Sequence, residues 1–180
     1  EIFQILNFDK KGNFNESYPN WSEKDVFVIS YADSIYDSDE SPLLTLNNFL
    51  LKYTESINSV HILPFMPSSS DSGFAVKNYT SIDPKFGSWN DLNLISRNFN
   101  VMIDLVLNHA SFESDWFNNY RNGVESFEDY FIEVKNWSGT AQIVRPRTNS
   151  LFQKVKTKNG LKYLWCTFSH DQVDLNFKNP

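Results

Sequence analysis

The sequence predicts an α/β fold with a parallel sheet, and three observations support this prediction. Three apolar runs, over residues 25–32, 60–65 and 101–107, read as buried strands. Near-continuous apolar runs of this length are typical of strands that are buried on both faces. Two segments with helical spacing of their apolar residues separate the runs. Because helices then serve as the crossovers, neighbouring strands should be parallel.

Each of the two helical segments has a start signal and one apolar face. Ser41-Pro42 predicts the start of the first helix, with Ser as the cap and Pro in the first turn. Ser88 and Asp91 have the spacing of a capping box in its acidic form, which predicts the start of the second. The expected buried faces are Leu43, Leu46, Leu50 and Tyr53 in the first helix, and Leu92, Ile95 and Phe99 in the second.

The alternation of strands and helices stops after the third strand. Residues 110–180 contain no clean fourth unit of strand and helix. Residues 127–132 are aromatic and have some helical character. Lys156 to Phe168, with Asn159-Gly160 at the centre, predicts a β-hairpin on a type I′ turn. Residues 66–87 form an unusually long loop after the second strand, and loops of that length are usually functional.

Composition limits the class of protein. The chain has 180 residues, enough for one packed core. Its net charge of −6 argues against a nucleic-acid partner. It has no apolar run of membrane-spanning length, so we expect no membrane partner, and no signal-peptide pattern is visible. The single cysteine, Cys166, cannot form an internal disulfide, which suits a reducing, cytoplasmic location. Its aromatic neighbours favour a buried, inert thiol.

The third apolar run ends in Asn108-His109, which predicts a polar pair at the carboxyl edge of the sheet. Ligands bind at that edge in parallel α/β proteins. His109 is therefore a candidate ligand contact, although a structural histidine at a strand end has the same pattern. Asp104 lies inside the run and is expected to be structural. His61 is expected to be packed in its strand, and His170 to be solvated.

Five motifs, in order along the chain, resemble those of the α-amylase superfamily, glycoside hydrolase family 13, in its sucrose phosphorylase-like branch. Asp104 to His109 is similar to the first signature region of the family, D-x-x-x-x-N-H. The other four are the loop at 65–74, the Tyr-to-Gly-Ser segment at 78–89, the Arg-Pro-Arg element at 144–147, and the domain B motif at 172–176. Together they make the resemblance specific over residues 25–180.

The resemblance implies an incomplete (β/α)₈ TIM barrel with a domain B insertion after strand three. Residues 1–24 would be an N-terminal extension, similar to one in members that act on glucosylglycerate or related glucosides. Residues 25–109 would be the first part of the catalytic barrel, and 110–180 a domain B-like insertion truncated before strand four. The nucleophile and the acid/base residue of the family lie on later strands. The resemblance therefore implies no catalytic residue in this chain, and a chain that is inactive alone.

The reaction implied is retaining glucosyl transfer from a small α-glucoside to phosphate. The substrate-binding residues implied are Asp71 and His109 for the sugar hydroxyls, Phe74 and Tyr79 as aromatic walls, Arg147 for phosphate, and Gln172 on the acceptor side. The partners would be a small-molecule sugar and inorganic phosphate. Neither a cofactor nor a metal is expected, because the branch generally lacks the calcium that Asn108 binds in many amylases.

Other interpretations of these residues stay open. Asp71 could cap a turn with Gly73, and Phe74 could belong to the core. Arg145 and Arg147 could be surface charges. Val144 replaces the tyrosine of sucrose-specific members, and residues 75–77 differ from their Asp-Pro, which puts sucrose itself in doubt.

The function that we expect is that of part of an α-glucosyl phosphorylase acting on sucrose, sucrose 6-phosphate or glucosylglycerate. An amylase-type hydrolase is a second hypothesis, and dependence on phosphate separates the two. A complete, non-catalytic sugar-binding module is a third. The module hypothesis predicts a chain that folds cooperatively alone. The phosphorylase hypothesis leaves one sheet edge of this chain unpaired, and so predicts a chain that is poorly soluble alone.

Overall fold

The computed structural model describes residues 22–138, 140–145 and 147–179. A parallel sheet forms the first part of the fold, with strands β1 (Phe27–Ser30), β2 (Ser59–Ile62) and β3 (Asn100–Ile103) in that order. Helices α1 (Pro42–Tyr53) and α2 (Trp89–Ser96) are the crossovers. The predicted α/β class with parallel strands is confirmed. Of the expected N-terminal extension, residues 1–21 lie outside the described residues.

Both helices begin where the sequence predicts. The Ser41 hydroxyl accepts a hydrogen bond from the Leu44 backbone N–H at 3.4 Å, which caps α1. Asp91 Oδ2 accepts from the Ser88 backbone N–H at 2.7 Å, so the capping box of α2 is present. The predicted buried faces are confirmed except at Tyr53, which is exposed. Tyr53 ends α1 and its ring packs back on Phe49, at 5.1 Å between centroids, instead of reaching the core.

Only one face of the parallel sheet is covered in the part of the chain that is described. Val28, Val60 and Val101 pack against α1 and α2 in the first core cluster. Phe27 and Ile29 point the other way and are 49% and 65% exposed. The prediction that the first and third runs are buried on both faces is therefore wrong for β1 and β3. The apolar runs alone could not show that one face is exposed, because both faces of these strands carry apolar residues.

The third strand is also shorter than predicted. β3 ends at Ile103, and residues 104–107 belong to no strand. Leu105 and Leu107 are 61% and 50% exposed. His109 is consequently not at the end of β3 but begins a new strand.

The second part of the fold comprises a two-stranded sheet, a helix and a hairpin. These are β4 (His109–Ser111), α3 (Asp115–Arg121), β5 (Phe152–Thr157), β6 (Gly160–Trp165) and β7 (Gln172–Asp174). β4 pairs antiparallel with β7, and β5 with β6. Its own buried cluster contains Ala110, Phe117, Tyr120, Phe131, Leu164, Cys166 and Val173. The described residues thus form two buried clusters, rather than the one core that the length predicts.

The hairpin is confirmed, but its turn differs from the prediction. Lys158 and Asn159 are the two turn residues, because Thr157 pairs with Gly160. Neither has a positive φ, which a type I′ turn requires, whereas Gly160 has φ 106°. The helical character predicted for 127–132 is also wrong beyond the short 3₁₀ turn Glu125–Phe127. Phe131 instead forms an antiparallel bridge with Leu175.

Among the described residues, no helix combines the length and the apolar composition that a membrane span requires.

Candidate functional site

An open cleft of about 620 Å³ lies where the loop after β2, the segment after β3 and the loops around β5 to β7 meet. Four of the six predicted site residues line it: Asp71, Phe74, His109 and Arg147. Asp104 to Asn108 and Phe168 complete the lining. The cleft therefore combines two carboxylates, an imidazole and a guanidinium with two phenyl rings.

His109 lines the cleft from the first position of β4 and is 4% exposed. Its Nε2 lies 3.0 Å from the Phe74 carbonyl oxygen, and because that oxygen can only accept, Nε2 carries the proton. Nδ1 lies 3.4 Å from the Asn108 side-chain nitrogen and accepts from it. Burial lowers the pKa of His109, although the Phe74 carbonyl and Asp174 favour protonation. The imidazole is therefore neutral near pH 7.

Asp71 lies in a 3₁₀ turn, Asp71–Gly73, and is exposed. Its carboxylate oxygen Oδ2 accepts a hydrogen bond from Gln172 Nε2 at 2.9 Å. The alternative that the side chain caps the turn is wrong, since the Asp71 backbone oxygen, not the carboxylate, accepts from the Phe74 N–H at 3.0 Å. The carboxylate can thus offer its remaining lone pairs to a ligand.

The two arginines of the 144–147 element have different surroundings. The Arg145 guanidinium donates to the Thr167 carbonyl at 2.6 Å and to the Asn149 carbonyl, so Arg145 joins two loops. It is half-buried, and the interpretation as a surface charge is wrong for it. Arg147 is exposed, and its guanidinium carbon lies 5.4 Å from the centre of the Phe168 ring, at the cleft. Pro146 lies outside the described residues.

Tyr79 and Gln172, the other two predicted site residues, are not part of the cleft lining. The Tyr79 hydroxyl donates to the His109 carbonyl at 2.6 Å, and its ring stacks on Trp116 at 4.9 Å. Burial raises the pKa of Tyr79 to about 12, so it stays a donor. Gln172 is fully buried in β7. Each of them holds a residue that does line the cleft.

Two residues near the cleft were missed by sequence reasoning as site residues. Phe168 provides a second phenyl wall opposite His109, with ring centroids 5.0 Å apart. Asp171 accepts hydrogen bonds from Ser70 at 2.5 Å and from Ser169 at 2.6 Å. Burial raises the pKa of Asp171, but the hydroxyl donors outweigh it and hold the pKa below its usual value. Only the position of Asp171 beside the motif at 172–176 could have indicated it.

The remaining candidates have structural surroundings. His61 Nε2 and Asp104 Oδ2 are 2.9 Å apart and form a partly buried hydrogen bond at the edge of the cleft. Cys166 is fully buried, and burial raises the pKa of its thiol to about 12, which fits the expected inert thiol. Within the described ranges, no three His, Cys, Asp or Glu side chains are grouped as metal ligands.

Comparison with known proteins places the chain in a family. Residues 31–180 match the sequence model of the alpha-amylase family, described as alpha amylase, catalytic domain. The chain belongs to this family. It is 43% identical over 157 residues to the glucosylglycerate phosphorylase of Spirochaeta thermophila, which covers 87% of this chain and 27% of that protein. The glucosylglycerate phosphorylase of Escherichia coli K12 is 40% identical, over 89% of this chain and 29% of its own length.

A solved structure supports the same assignment. The crystal structure of a sucrose 6F-phosphate phosphorylase from Thermoanaerobacter thermosaccharolyticum superimposes with a TM-score of 0.78 at 31% identity. The superposition covers 88% of this chain and 35% of that chain. The predicted resemblance to the sucrose phosphorylase-like branch is confirmed. This member of the alpha-amylase family spans 27% to 29% of the length of the glucosylglycerate phosphorylases that it matches.

Proposed function

We propose that this chain is part of an α-glucoside phosphorylase and holds the glucosyl unit and phosphate in the cleft. The observation that carries the proposal is that Asp71, His109 and Arg147 line one cleft together with two phenyl rings. The relatives that are 40% to 43% identical are phosphorylases, which agrees with a phosphate site.

Each group in the cleft has a chemical task in this proposal. The Asp71 carboxylate accepts hydrogen bonds from sugar hydroxyls, and Phe74 and Phe168 cover the apolar faces of the ring. A sugar hydroxyl shares the Nε2 proton of the neutral His109 with the Phe74 carbonyl. Phosphate needs a cation with several donors, and the exposed Arg147 guanidinium has the planar fork that suits a phosphate.

Glucosylglycerate is the donor that we favour. The glucosylglycerate phosphorylases are 40% to 43% identical to this chain, whereas the sucrose and sucrose 6(F)-phosphate phosphorylases are 28% to 33% identical. Val144 and the Ala75-Val76-Lys77 segment, which depart from the sucrose-specific pattern, favour the same choice.

The bond-breaking carboxylates would be supplied by other parts of the complete protein. A retaining mechanism needs a nucleophile and an acid/base residue about 5 Å apart on the two sides of the scissile bond. Asp104 is occupied by His61, and Asp71 by Gln172, so neither is assigned such a role. In this proposal residues 25–109 begin a (β/α)₈ barrel and 110–180 form a domain B-like insertion. The exposed apolar side chains of Phe27, Ile29 and Met102 support it, because further barrel strands would cover them.

The first test measures phosphorolysis by the complete gene product that contains this chain. Glucosylglycerate, sucrose and sucrose 6-phosphate are supplied with and without inorganic phosphate, and glucose 1-phosphate is measured. We expect glucose 1-phosphate only when phosphate is present, with the highest rate on glucosylglycerate. Glucose released equally fast without phosphate would instead identify a hydrolase. Glucose binding without any turnover would identify a sugar-binding module.

The second part of the test replaces Arg147. Arg147→Ala should raise the KM for phosphate about 10- to 100-fold, since a hydrogen bond to a charged group contributes about 1.5–3 kcal/mol. Arg97→Ala is the matched control, because Arg97 is an exposed arginine at the end of α2 and does not line the cleft. An unchanged KM for phosphate in Arg147→Ala would remove the phosphate site from the proposal.

A further inference from the structure

We propose that Gln172 is a positioning residue, which orients the Asp71 carboxylate towards the sugar without touching the sugar itself. This inference rests on the proposed function of the cleft as a glucosyl site. It differs from the role that the family resemblance implies, in which Gln172 lines the acceptor side. Its basis is the hydrogen bond between two residues that are 101 positions apart in the sequence.

The geometry of Gln172 excludes direct contact with a ligand in the cleft. The side chain is fully buried in β7 and does not line the cleft, and its Nε2 lies 2.9 Å from Oδ2 of Asp71, which does. Its Oε1 is buried and has no hydrogen-bond partner in the described part of the chain. A buried amide oxygen without a partner destabilises the fold, because it has lost its hydrogen bonds to water. An amide is thus kept here at some cost to stability, which indicates that its N–H donor has a function.

The turn that carries Asp71 has an unusual backbone geometry, which surrounding contacts must fix. Asp71 and Ser72 have φ values of 56° and 51°, in the left-handed region, and Gly73 follows at 102°. Left-handed geometry is unfavourable for non-glycine residues, and it persists only where surrounding contacts fix it. A Cβ on Gly73 would lie 2.5 Å from the Pro64 carbonyl oxygen, so the turn is packed directly on the end of β2.

Other contacts hold the same loop, but they reach different atoms. The Ser69 and Ser111 hydroxyls are 2.6 Å apart, and the Ser70 hydroxyl donates to Asp171 at 2.5 Å. His109 holds the backbone carbonyl of Phe74. Within the described ranges, Gln172 is the hydrogen-bond donor to the Asp71 carboxylate. The loop can therefore keep its path without Gln172, while the carboxylate loses its fixed direction.

A double-mutant cycle in the complete protein separates positioning from general stabilisation. Gln172→Met keeps the buried volume and removes the donor, and should lower kcat/KM about 10- to 100-fold, as expected when a group that positions the substrate is misplaced by about 1 Å. In an Asp71→Ala background, the same change should have no more than about a twofold further effect, because the carboxylate on which it acts is absent. Gln153→Met is the matched control on β5, at a partly exposed glutamine that does not line the cleft, and should leave kcat/KM unchanged.

A pH profile gives a readout that a purely structural role would not change. Gln172→Glu places two carboxyl groups in contact, and the bond returns only when they share a proton. The ratio of its kcat/KM to that of the wild type should therefore rise as the pH falls. His109, Asp171, Asp174 and Arg147 also lie near this pair, and they are present in both proteins, so the ratio isolates the effect of the added carboxyl group. This ratio carries the test alone if Gln172→Met does not fold.

The outcomes for the two proposals are distinct. Additive effects of Gln172→Met and Asp71→Ala, or a flat activity ratio for Gln172→Glu, would overturn the positioning role. Turnover that does not need phosphate would overturn the proposed function alone, and the same cycle would then be measured on hydrolysis. If no turnover is found, the same double-mutant cycle can be measured on the affinity for glucose, by calorimetry.

Discussion

The parallel sheet and the region from β4 to β7 differ in how they bury their apolar side chains. The parallel sheet buries its helix-facing side and leaves Phe27, Ile29 and Met102 exposed on the other. The second region surrounds a compact aromatic cluster. In it the Phe117 ring packs edge-to-face with Phe131, at 5.3 Å between ring centroids, and stacks on Tyr120 at 5.9 Å. The second region thus buries an aromatic cluster, whereas the described part of the first region leaves one apolar face of its sheet exposed.

The candidate site lies at the junction of these two regions, and each contributes what the other lacks. The first region supplies the loop that carries Asp71 and Phe74. The second region shapes that loop through Ser111, whose N–H donates to the Val76 carbonyl at 2.9 Å, and through Gln172 and Asp171. The loop is therefore held from two sides, by the end of β2 and by the second region.

The largest effect should come from one Phe-to-Ala change made in each region. Phe117 is 2% exposed and Phe27 is 49% exposed. Phe117→Ala should lower the free energy of unfolding by about 3–5 kcal/mol, because it leaves a cavity in the aromatic cluster. Phe27→Ala should cost the 180-residue chain less than about 1 kcal/mol, because water already reaches much of the ring. Urea denaturation followed by tryptophan fluorescence measures both.

The same pair tests whether other parts of the complete protein cover the open face. In the complete gene product, Phe27→Ala should then cost several kcal/mol and approach the value for Phe117→Ala. A cost for Phe27→Ala that stays small in the complete protein would contradict the barrel proposed for residues 25–109. A large cost in the 180-residue chain would contradict the exposure described above.

A smaller difference in stability should appear when a glycine in each region, with a similar φ value, is changed to alanine. Gly73, at 102°, lies in the loop after β2, and Gly160, at 106°, follows the hairpin turn. A Cβ on Gly160 meets nothing within 4 Å, so Gly160→Ala should cost only the left-handed penalty of about 1–2 kcal/mol. Gly73→Ala should cost about 1–3 kcal/mol more, since its Cβ would clash with the Pro64 carbonyl. Equal losses in the two melting curves would show that the loop can move away from β2.

Local signals in the sequence predicted the helices, because Ser41 and the Ser88–Asp91 pair act within one turn of chain. The apolar run at 101–107 misled about strand length, since burial of Leu105 and Leu107 depends on neighbours that are distant in sequence. The hairpin position followed from Asn159-Gly160, but the turn type depended on which residue has a positive φ.

The site was predicted in part for the same reason. Family motifs named Asp71, Phe74, His109 and Arg147, which the structure brings to one cleft. They also named Gln172, but a motif does not tell whether a polar side chain faces a ligand or another side chain. That distinction needed the pairing of β4 with β7, which buries Gln172 opposite Ser111.

The smallest and most local effect concerns the protonation of His109 at the junction. Burial lowers its pKa from the ordinary value of 6.5, although Asp71, Asp171 and Asp174 favour the charged form. As the pH falls through 6.5, His109 therefore binds a proton in the unfolded chain before it does so in the folded chain. The free energy of unfolding should therefore be fully retained above about pH 7 and decrease as the pH falls through 6.5 towards the folded pKa. An NMR titration of ¹³C-labelled histidine, with the resonance assigned by His109→Gln, should give a pKa below 6.5. A value above 6.5 would mean that the acidic residues outweigh burial, and that His109 enters the cleft as a cation.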